Sequence, residues 1–258
     1  MVEIDLDRLA VGYAHRRTSD RARGRAAAAA ASAGLGPGSV ALDVGGGRGD
    51  HAEVLAAGGA RAVVVDRSPA MARAARDRGL PAVVGDGRCL PLGEATADLV
   101  YFNLSLHYGG WDLMLAEAAR VLRPGGMVAA WTFSREHFRH SLLARWFPSV
   151  VPIDEARFPD PDLLCARMWA LGLEQVTQVT ETETVSRRAG DWEAAVRAGF
   201  ISTLQLVDPA EVEAGLGRFG EEHPDPDEVL HYRLWFRGVS GRKPGQLPRD
   251  SRRPAKGG

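Results

Sequence analysis

Only two cysteines, Cys89 and Cys165, occur in 258 residues, and they form no Cys-x-x-Cys pair. That argues against a disulfide framework and a zinc ribbon, and fits a reducing compartment. No stretch approaches the roughly 18 apolar residues of a membrane span. The opening MVEIDLDRLA lacks the basic-then-apolar order of a secretory leader, so the expectation is a cytoplasmic protein with no membrane partner. Excess charge of either sign is also missing. Thirty-two basic and 33 acidic residues leave a formal charge of −1, which speaks against nucleic acid as a partner. No histidine has metal-ligand spacing with a cysteine or carboxylate, so no metal is expected, and His137, His140 and His223 read as surface residues.

What remains is an ordinary soluble composition, 45% apolar and 25% charged, long enough for one large domain with an insertion. Residues 3–33 read as a helix with a basic middle, Arg16, Arg17, Arg21, Arg23 and Arg25. Those charges are either a solvated face or a lid that meets an anionic group. The alanine run Ala26–Ala31 suits a surface helix, which GLGPG, residues 34–38, then closes.

From there apolar strands alternate with helices. Strands are expected at Val40–Val44, Ala62–Val65, Ala82–Val84, Leu99–Asn103 and Met127–Phe133. Helices are expected at Asp50–Ala57, Pro69–Arg78 and Trp111–Leu122. Near-continuous apolar strands between helices predict a parallel sheet covered on both faces. The second half is less regular. A helix is expected at Asp162–Leu171 and a strand at Gln175–Val185. Helices follow at Trp192–Leu206 and Pro209–Phe219, then an antiparallel or edge strand at Val229–Val239. Residues 241–258 read as a disordered tail.

The chemistry concentrates at three strand ends. The first is DVGGGRG, Asp43 to Gly49, where a strand hands over to a helix. Glycines at Gly45 and Gly47 permit positive φ and close approach of a ligand to the backbone. The Gly-x-Gly-x-x-Gly spacing of dinucleotide sites is absent in every register. The second is Asp66, 19 residues after Gly47, a carboxylate able to accept from both hydroxyls of a ribose or to cap the next helix. The third is Gly85-Asp86-Gly87, either a reader of an adenine amino group or a plain turn. Three such ends in succession line one crevice.

These segments resemble the class I S-adenosylmethionine-dependent methyltransferases, in the small-molecule branch that includes the ubiquinone/menaquinone C-methyltransferases. The resemblance rests on ALDVGGGRG (41–49), VVVDRS (63–68), GDGRCLPLGEATADLVYFNLSLHY (85–108), EAARVLRPGGMVAAW (117–131) and the ending HYRLWFRGVSGRK (231–243). It implies an α/β, Rossmann-like three-layer sandwich with a seven-stranded, mostly parallel sheet whose last strand is antiparallel, plus a helical cap. The cap would comprise residues 1–34 and an insertion at 186–228. The core would span 35–185 and close with the strand at 229–240. The implied cofactor is S-adenosyl-L-methionine. Asp43 with Gly45, Gly46 and Gly47 would hold its methionine part, Asp66 its ribose and Arg67 the edge of its adenine. Asp86 and Gly87 would read that adenine, and Asn103 and Leu104 would meet the methionine end.

The implied reaction is methyl transfer to O, N or C of a small molecule by in-line displacement, which calls mainly for alignment and exclusion of water. His107, with an ordinary pKa of about 6.5, is a candidate general base. The resemblance implies that Tyr13, in the N-terminal helix, contacts the cofactor or closes the site, with simple packing as the alternative, and Tyr108 is a further catalytic candidate. Tyr108, Trp131, Phe133 and Trp192 are aromatic faces for a substrate or for packing. A cyclase or eliminase that keeps the cofactor on this scaffold without moving a methyl is the alternative, since fold does not fix function.

Overall fold

The protein is described by a computed structural model over residues 4–6, 9 and 18–245. Seven strands form one sheet: β1 (Val40–Val44), β2 (Arg61–Asp66), β3 (Ala82–Val84), β4 (Ala97–Asn103), β5 (Leu122–Phe133), β6 (Glu174–Arg188) and β7 (Val229–Arg242). Their order is β3-β2-β1-β4-β5-β7-β6. Strands β1 to β5 pair in parallel, and β7 runs antiparallel to both neighbours. The order reverses between β1 and β4, the point at which open α/β sheets bind ligands.

Alternation along the strands divides the core. Leu42, Val100, Phe102, Val128 and Ala130 face one layer, with Leu115 and Ala118 of α4 (Trp111–Val121) and Leu164 and Met168 of α8 (Pro161–Ala170). Ala41, Leu99, Tyr101 and Ala129 face the other. There they meet α1 (Asp20–Ser32) and α2 (Asp50–Ala56), while Ala75 of α3 (Pro69–Asp77) packs beside them. A strand's period of two puts successive residues on opposite layers, so VALDV is buried on both sides.

The first helix differs from the single span 3–33. Thr18 and Ser19 are not helical, and Ser19 Oγ accepts the Ala22 N–H at 3.1 Å, so a new helix starts at Asp20. Its alanine run is split between two faces, with Ala27, Ala28 and Ala31 exposed as on a surface helix. Ala26 and Ala29 are buried against the sheet, where small side chains allow a close approach. Two of the basic residues, Arg23 and Arg25, meet the protein's own acids. Arg25 is buried; its Nε and Nη2 each lie 2.9 Å from a carboxylate, Glu181 and Glu183 of β6, and its guanidinium stacks 3.7 Å over Phe236. Arg21 donates to the Thr182 carbonyl and Arg23 faces Glu53. Arg16 and Arg17 lie outside the described residues.

Strands β6 and β7 pair from Glu174–Arg242 to Arg188–Val229 and project beyond β5, which leaves β7 after Phe236. At the tip sit α9 (Ala189–Arg197), a 3-10 turn at Ser202–Gln205 and α10 (Pro209–Glu222). The helix expected over Trp192–Leu206 is therefore two elements, broken after Gly199, whose φ is +65°. A second segment joins them. After β5 come α5 (Arg135–His140), α6 (Leu142–Trp146) and α7 (Val150–Arg157). Trp146, Phe147 and Val150 share a separate core with Trp192, Val196, Leu216 and Phe219. This helical layer is drawn from two stretches of chain, only one of which the sequence suggested. Trp192 is part of that core, 1% exposed.

The expected tail at 241–258 starts too early. Gly241 and Arg242 belong to β7, and Lys243 Nζ donates to the carbonyls of Ala119 and Leu122 at 2.8 Å, where α4 ends. A lysine there satisfies carbonyls that the helix leaves unpaired. Residues 246–258 lie outside the described residues.

The buried Arg25 holds α1 to the far edge of the sheet. Arg25→Ala would strand Glu183 without its partner, so a loss of about 3 kcal/mol is expected in urea unfolding, with a smaller loss for Arg25→Lys. A loss no larger than that of an exposed pair would show that the clamp contributes little.

Candidate active site

A crevice opens at the carboxyl ends of β1, β2 and β4, with about 620 Å³ of empty space continuous with solvent. Gly45, Gly47, Asp66, Arg67, Asp86, Gly87 and Tyr108, all expected from the sequence, line it. So do Ser68, Ser105, Gly109 and a set of apolar side chains that includes Val44, Val65, Met71 and Met114. Leu6 and Leu9 complete the wall from the N-terminal segment.

The turn after β1 is held from two sides. The Gly45 N–H donates to the Val65 carbonyl at 2.7 Å, and the Gly47 N–H to Asp66 Oδ2 at 2.9 Å. Gly45 has φ +70°, and a Cβ there would stand 2.5 Å from Ser105 Cβ. No other residue fits without movement of the wall. Ser105 is itself fixed, its hydroxyl donating to the Val44 carbonyl at 2.7 Å.

Asp66 also accepts the Ser68 N–H on Oδ1 at 2.9 Å. Each oxygen thus holds one backbone donor and keeps a lone pair for another. Burial pushes its carboxyl above the ordinary range, against the pull of the Ser68 and Gly47 amides. Asp86 is more heavily engaged. The Arg88 side chain donates to both of its oxygens, at 2.6 to 3.1 Å, and Arg67 lies at 3.8 Å. Arg88 holds the Asp86 carboxyl below its usual value. The sequence reading missed Arg88; the Asp-Gly-Arg spelling, with a cation two residues after the acid, was the available signal.

Asp43, Gly46, Asn103, Leu104 and His107 do not line the crevice. Asp43 lies beneath the turn, where its Oδ2 accepts the Ala52 N–H at 3.1 Å. A Cβ on Gly46 would fall 2.5 Å from that carboxylate. Asp43 therefore braces the turn from beneath. Leu104 has φ +53° and donates its N–H to the Trp131 carbonyl at 2.9 Å. Asn103 Oδ1 is buried with no hydrogen-bond partner among the described residues.

His107 sits in the 3-10 turn Leu106–Tyr108, buried between core and cap. Its ring stacks on Phe158 at 4.1 Å and leans on Tyr108 at 4.2 Å, and its Nε2 is 3.4 Å from Ser202 Oγ. Arg157 donates to Ser202 and Thr203, and Thr203 donates to Asp154 at 2.7 Å. Burial raises the Asp154 carboxyl to about 6. Phe133 stacks on His137 at 3.7 Å. His137 is thus buried rather than on the surface, and burial drops its pKa to about 3. His223 is half-buried, with Nδ1 3.0 Å from Glu228, while His140 is exposed as expected. Trp131 packs under the Arg25 guanidinium at 5.0 Å. Tyr13 lies outside the described residues. Among the described residues no group of three or more histidines, cysteines and carboxylates could hold a metal. No helix among them is long and apolar enough to cross a membrane.

Known proteins resemble this chain in sequence and fold. Residues 42–130 match the family described as a methyltransferase domain. The chain is 32% identical over 170 residues to a ubiquinone/menaquinone biosynthesis C-methyltransferase, UbiE, of Acidiphilium cryptum, a match covering 55% of this chain and 68% of that protein. The chain belongs to the class I S-adenosylmethionine-dependent methyltransferases. A demethylmenaquinone methyltransferase of Corynebacterium kroppenstedtii is 36% identical over 99 residues, 38% of this chain; the chain spans only 43% of that relative's length. In fold, the YcgJ protein of Bacillus subtilis aligns with a TM-score of 0.60 at 16% identity, covering 86% of this chain and 99% of that one.

The crevice suits the cofactor of that family. Apolar walls at Val44, Val65, Met71 and Met114 fit a flat base, and the open lone pairs of Asp66 fit vicinal hydroxyls. The lack of room for a Cβ at Gly45 leaves backbone alone on that side.

Asp43 supplies a pH signature. Burial raises its carboxyl to about 7, with the neighbouring Asp66 charge adding to the rise. Between about 4 and 7 the folded state keeps on Asp43 a proton that the unfolded state has released, so this group's contribution to stability falls as pH rises through that window, opposite in sign to that of His137. Asp43→Asn should flatten this slope in unfolding measured from pH 4 to 8. A slope unchanged in that variant would assign the effect elsewhere.

Proposed function

We propose that the chain transfers the methyl group of S-adenosylmethionine to an O, N or C atom of a small-molecule acceptor held between the crevice and the helical cap. The observation that carries this reading is the joining of the glycine turn to Asp66 by the Gly47 N–H, with both lining one crevice at the strand ends. The relatives named as quinone C-methyltransferases support the same class of reaction. When bound, the cofactor supplies a methyl group already activated by a sulfonium.

The chain's own residues then bind, orient and exclude water. Asp66 accepts from the ribose. Gly87 and the base of Asp86 border the adenine, with the Asp86 carboxylate held in place by Arg88. Gly45, Ser105 and the N–H groups of the turn hold the methionine part. Asp43, Asn103 and Leu104 act from behind that wall, by bracing it. Tyr108 forms the border between crevice and cap, and His107 receives the acceptor's proton where one must leave. The rings of Phe133 and Phe158 suit an acceptor with a planar or apolar body.

Residues 189–228, α5 to α7 and the N-terminal segment serve as the cap. Closing it would bury the reacting atoms from water and complete the alignment.

Two measurements test the reading. Calorimetry with S-adenosylmethionine should show binding, and Asp66→Ala should weaken it by about 1–3 kcal/mol, the usual loss for charge-assisted bonds. Affinity unchanged in that variant would remove Asp66 from the ribose. The product of turnover should be heavier than the acceptor by one methylene; a product of unchanged mass with a new ring would support a cyclase instead. For the base, His107→Phe keeps the stack on Phe158 while removing the ring nitrogens. Turnover should fall by roughly 10²-fold, with affinity for S-adenosylhomocysteine unchanged. Full turnover in that variant across neutral pH would show that no base acts there.

A further inference from the structure

The four-residue turn Ser202–Gln205 touches both halves of the site. At one end, Ser202 Oγ lies near His107 Nε2 and accepts from Arg157 at 2.9 Å, and Thr203 bridges Asp154 and Arg157. At the other end, Gln205 reaches the N-terminal segment. Its Oε1 accepts the Asp5 N–H at 2.9 Å, and its Nε2 donates to the Asp5 carbonyl at 3.0 Å. The primary amide thus pairs with both main-chain groups of one residue, the N–H and C=O of Asp5, as a neighbouring strand would. Leu204 between them is buried in the cap core, so the turn moves with the cap.

The peptide it holds is well placed. The Asp5 carbonyl also accepts the Leu9 N–H at 3.1 Å. Leu6 and Leu9 stand on the crevice wall, and Leu9 is 2% exposed. The two contacts at Asp5 are solvent-exposed main-chain groups that water could satisfy equally well. Their geometry therefore matters more for where the segment sits than for the stability of the fold.

We propose that Gln205 is a positioning residue for cofactor retention. Resting on the reading of the crevice as the cofactor site, it holds Asp5, and with it Leu6 and Leu9, at that crevice and links them to the cap through the Ser202–Gln205 turn. Acceptor seated beside His107 and Ser202 would thereby steady the wall that covers the cofactor. Gln205 touches neither partner of the reaction and acts only through Leu6 and Leu9.

The test is S-adenosylhomocysteine binding to the full chain, with release followed by stopped flow and stability by thermal unfolding of the ligand-free protein. In Gln205→Leu both contacts are lost, and release should quicken by about three- to tenfold, as expected for two exposed hydrogen bonds. The unfolding midpoint should not move. In Gln205→Glu the carboxylate faces the Asp5 carbonyl and lacks the donor. Release should be fast at pH 8 and slow towards the unsubstituted rate as the new side chain takes up a proton, near its ordinary value of about 4.3. A merely structural role has no reason to show that recovery. Unchanged release in both variants, or faster release matched by an equal drop in the ligand-free midpoint, would overturn the proposal. Failure of the unsubstituted protein to bind S-adenosylhomocysteine would instead overturn the reading of the crevice itself.

Discussion

One hydrogen bond carries the architecture of the site: the Gly47 amide on the Asp66 carboxylate, joining the turn after β1 to the tip of β2. It forms because β1 and β2 run in parallel register, with Val44 beside Val65, so that both strands end at the same height. The turn can reach Asp66 only because Gly45 and Gly47 take positive φ. Ser105, at the end of β4, then fills the space that a side chain at position 45 would need. Three strand ends are thereby locked to one another before any ligand enters, which is the preorganisation a positioning enzyme depends on.

The carboxylates around this lock are not equivalent. Asp43 and Asp66 end neighbouring strands, the first buried and the second half-buried, but only Asp66 has two backbone donors. Asp43 has one donor and the Asp66 charge nearby, so it holds its proton into the neutral range. Asp86 is ionised by contrast, because Arg88 folds back onto it. The crevice therefore presents one acid with open lone pairs and one fixed ion pair, with an acid of raised pKa behind its wall. Counting three aspartates in the sequence would have assigned all three the same kind of role.

How much was legible follows from the range of each interaction. VALDV and RAVVVD announce themselves because a parallel strand is buried on both faces and needs nothing distant to explain its composition. The glycine turn and Asp66 are legible for a similar reason, since they lie 19 residues apart within one βαβ unit. The cap is not. Its helices α5 to α7 are short, five to eight residues each, and Trp146 and Phe147 find partners at Trp192 and Phe219, far along the chain. Nothing local marks those aromatics as a second core. Lys243 is a similar case: in sequence it opens a basic, glycine-containing tail, and its purpose appears only when β7 brings it to the end of α4.

Arg25 shows what this costs a reading of charge. On a helical wheel it is one more cation beside Arg21 and Arg23, and a solvated face or an anion-binding lid are the natural choices. Its carboxylates are 156 and 158 residues away on the outermost strand. A guanidinium this deeply buried needs full pairing, so the two glutamates, alternate residues on one face of β6, are a requirement of its burial rather than a surface ornament. The pairing also explains why an edge strand rich in Thr and Glu can carry fifteen residues without a helix over its whole length. Its charges discourage further strand addition, while the helix that covers part of it is fixed by a cation. The edge of the sheet and the entry of the chain into the cofactor domain are thus settled by the same three side chains.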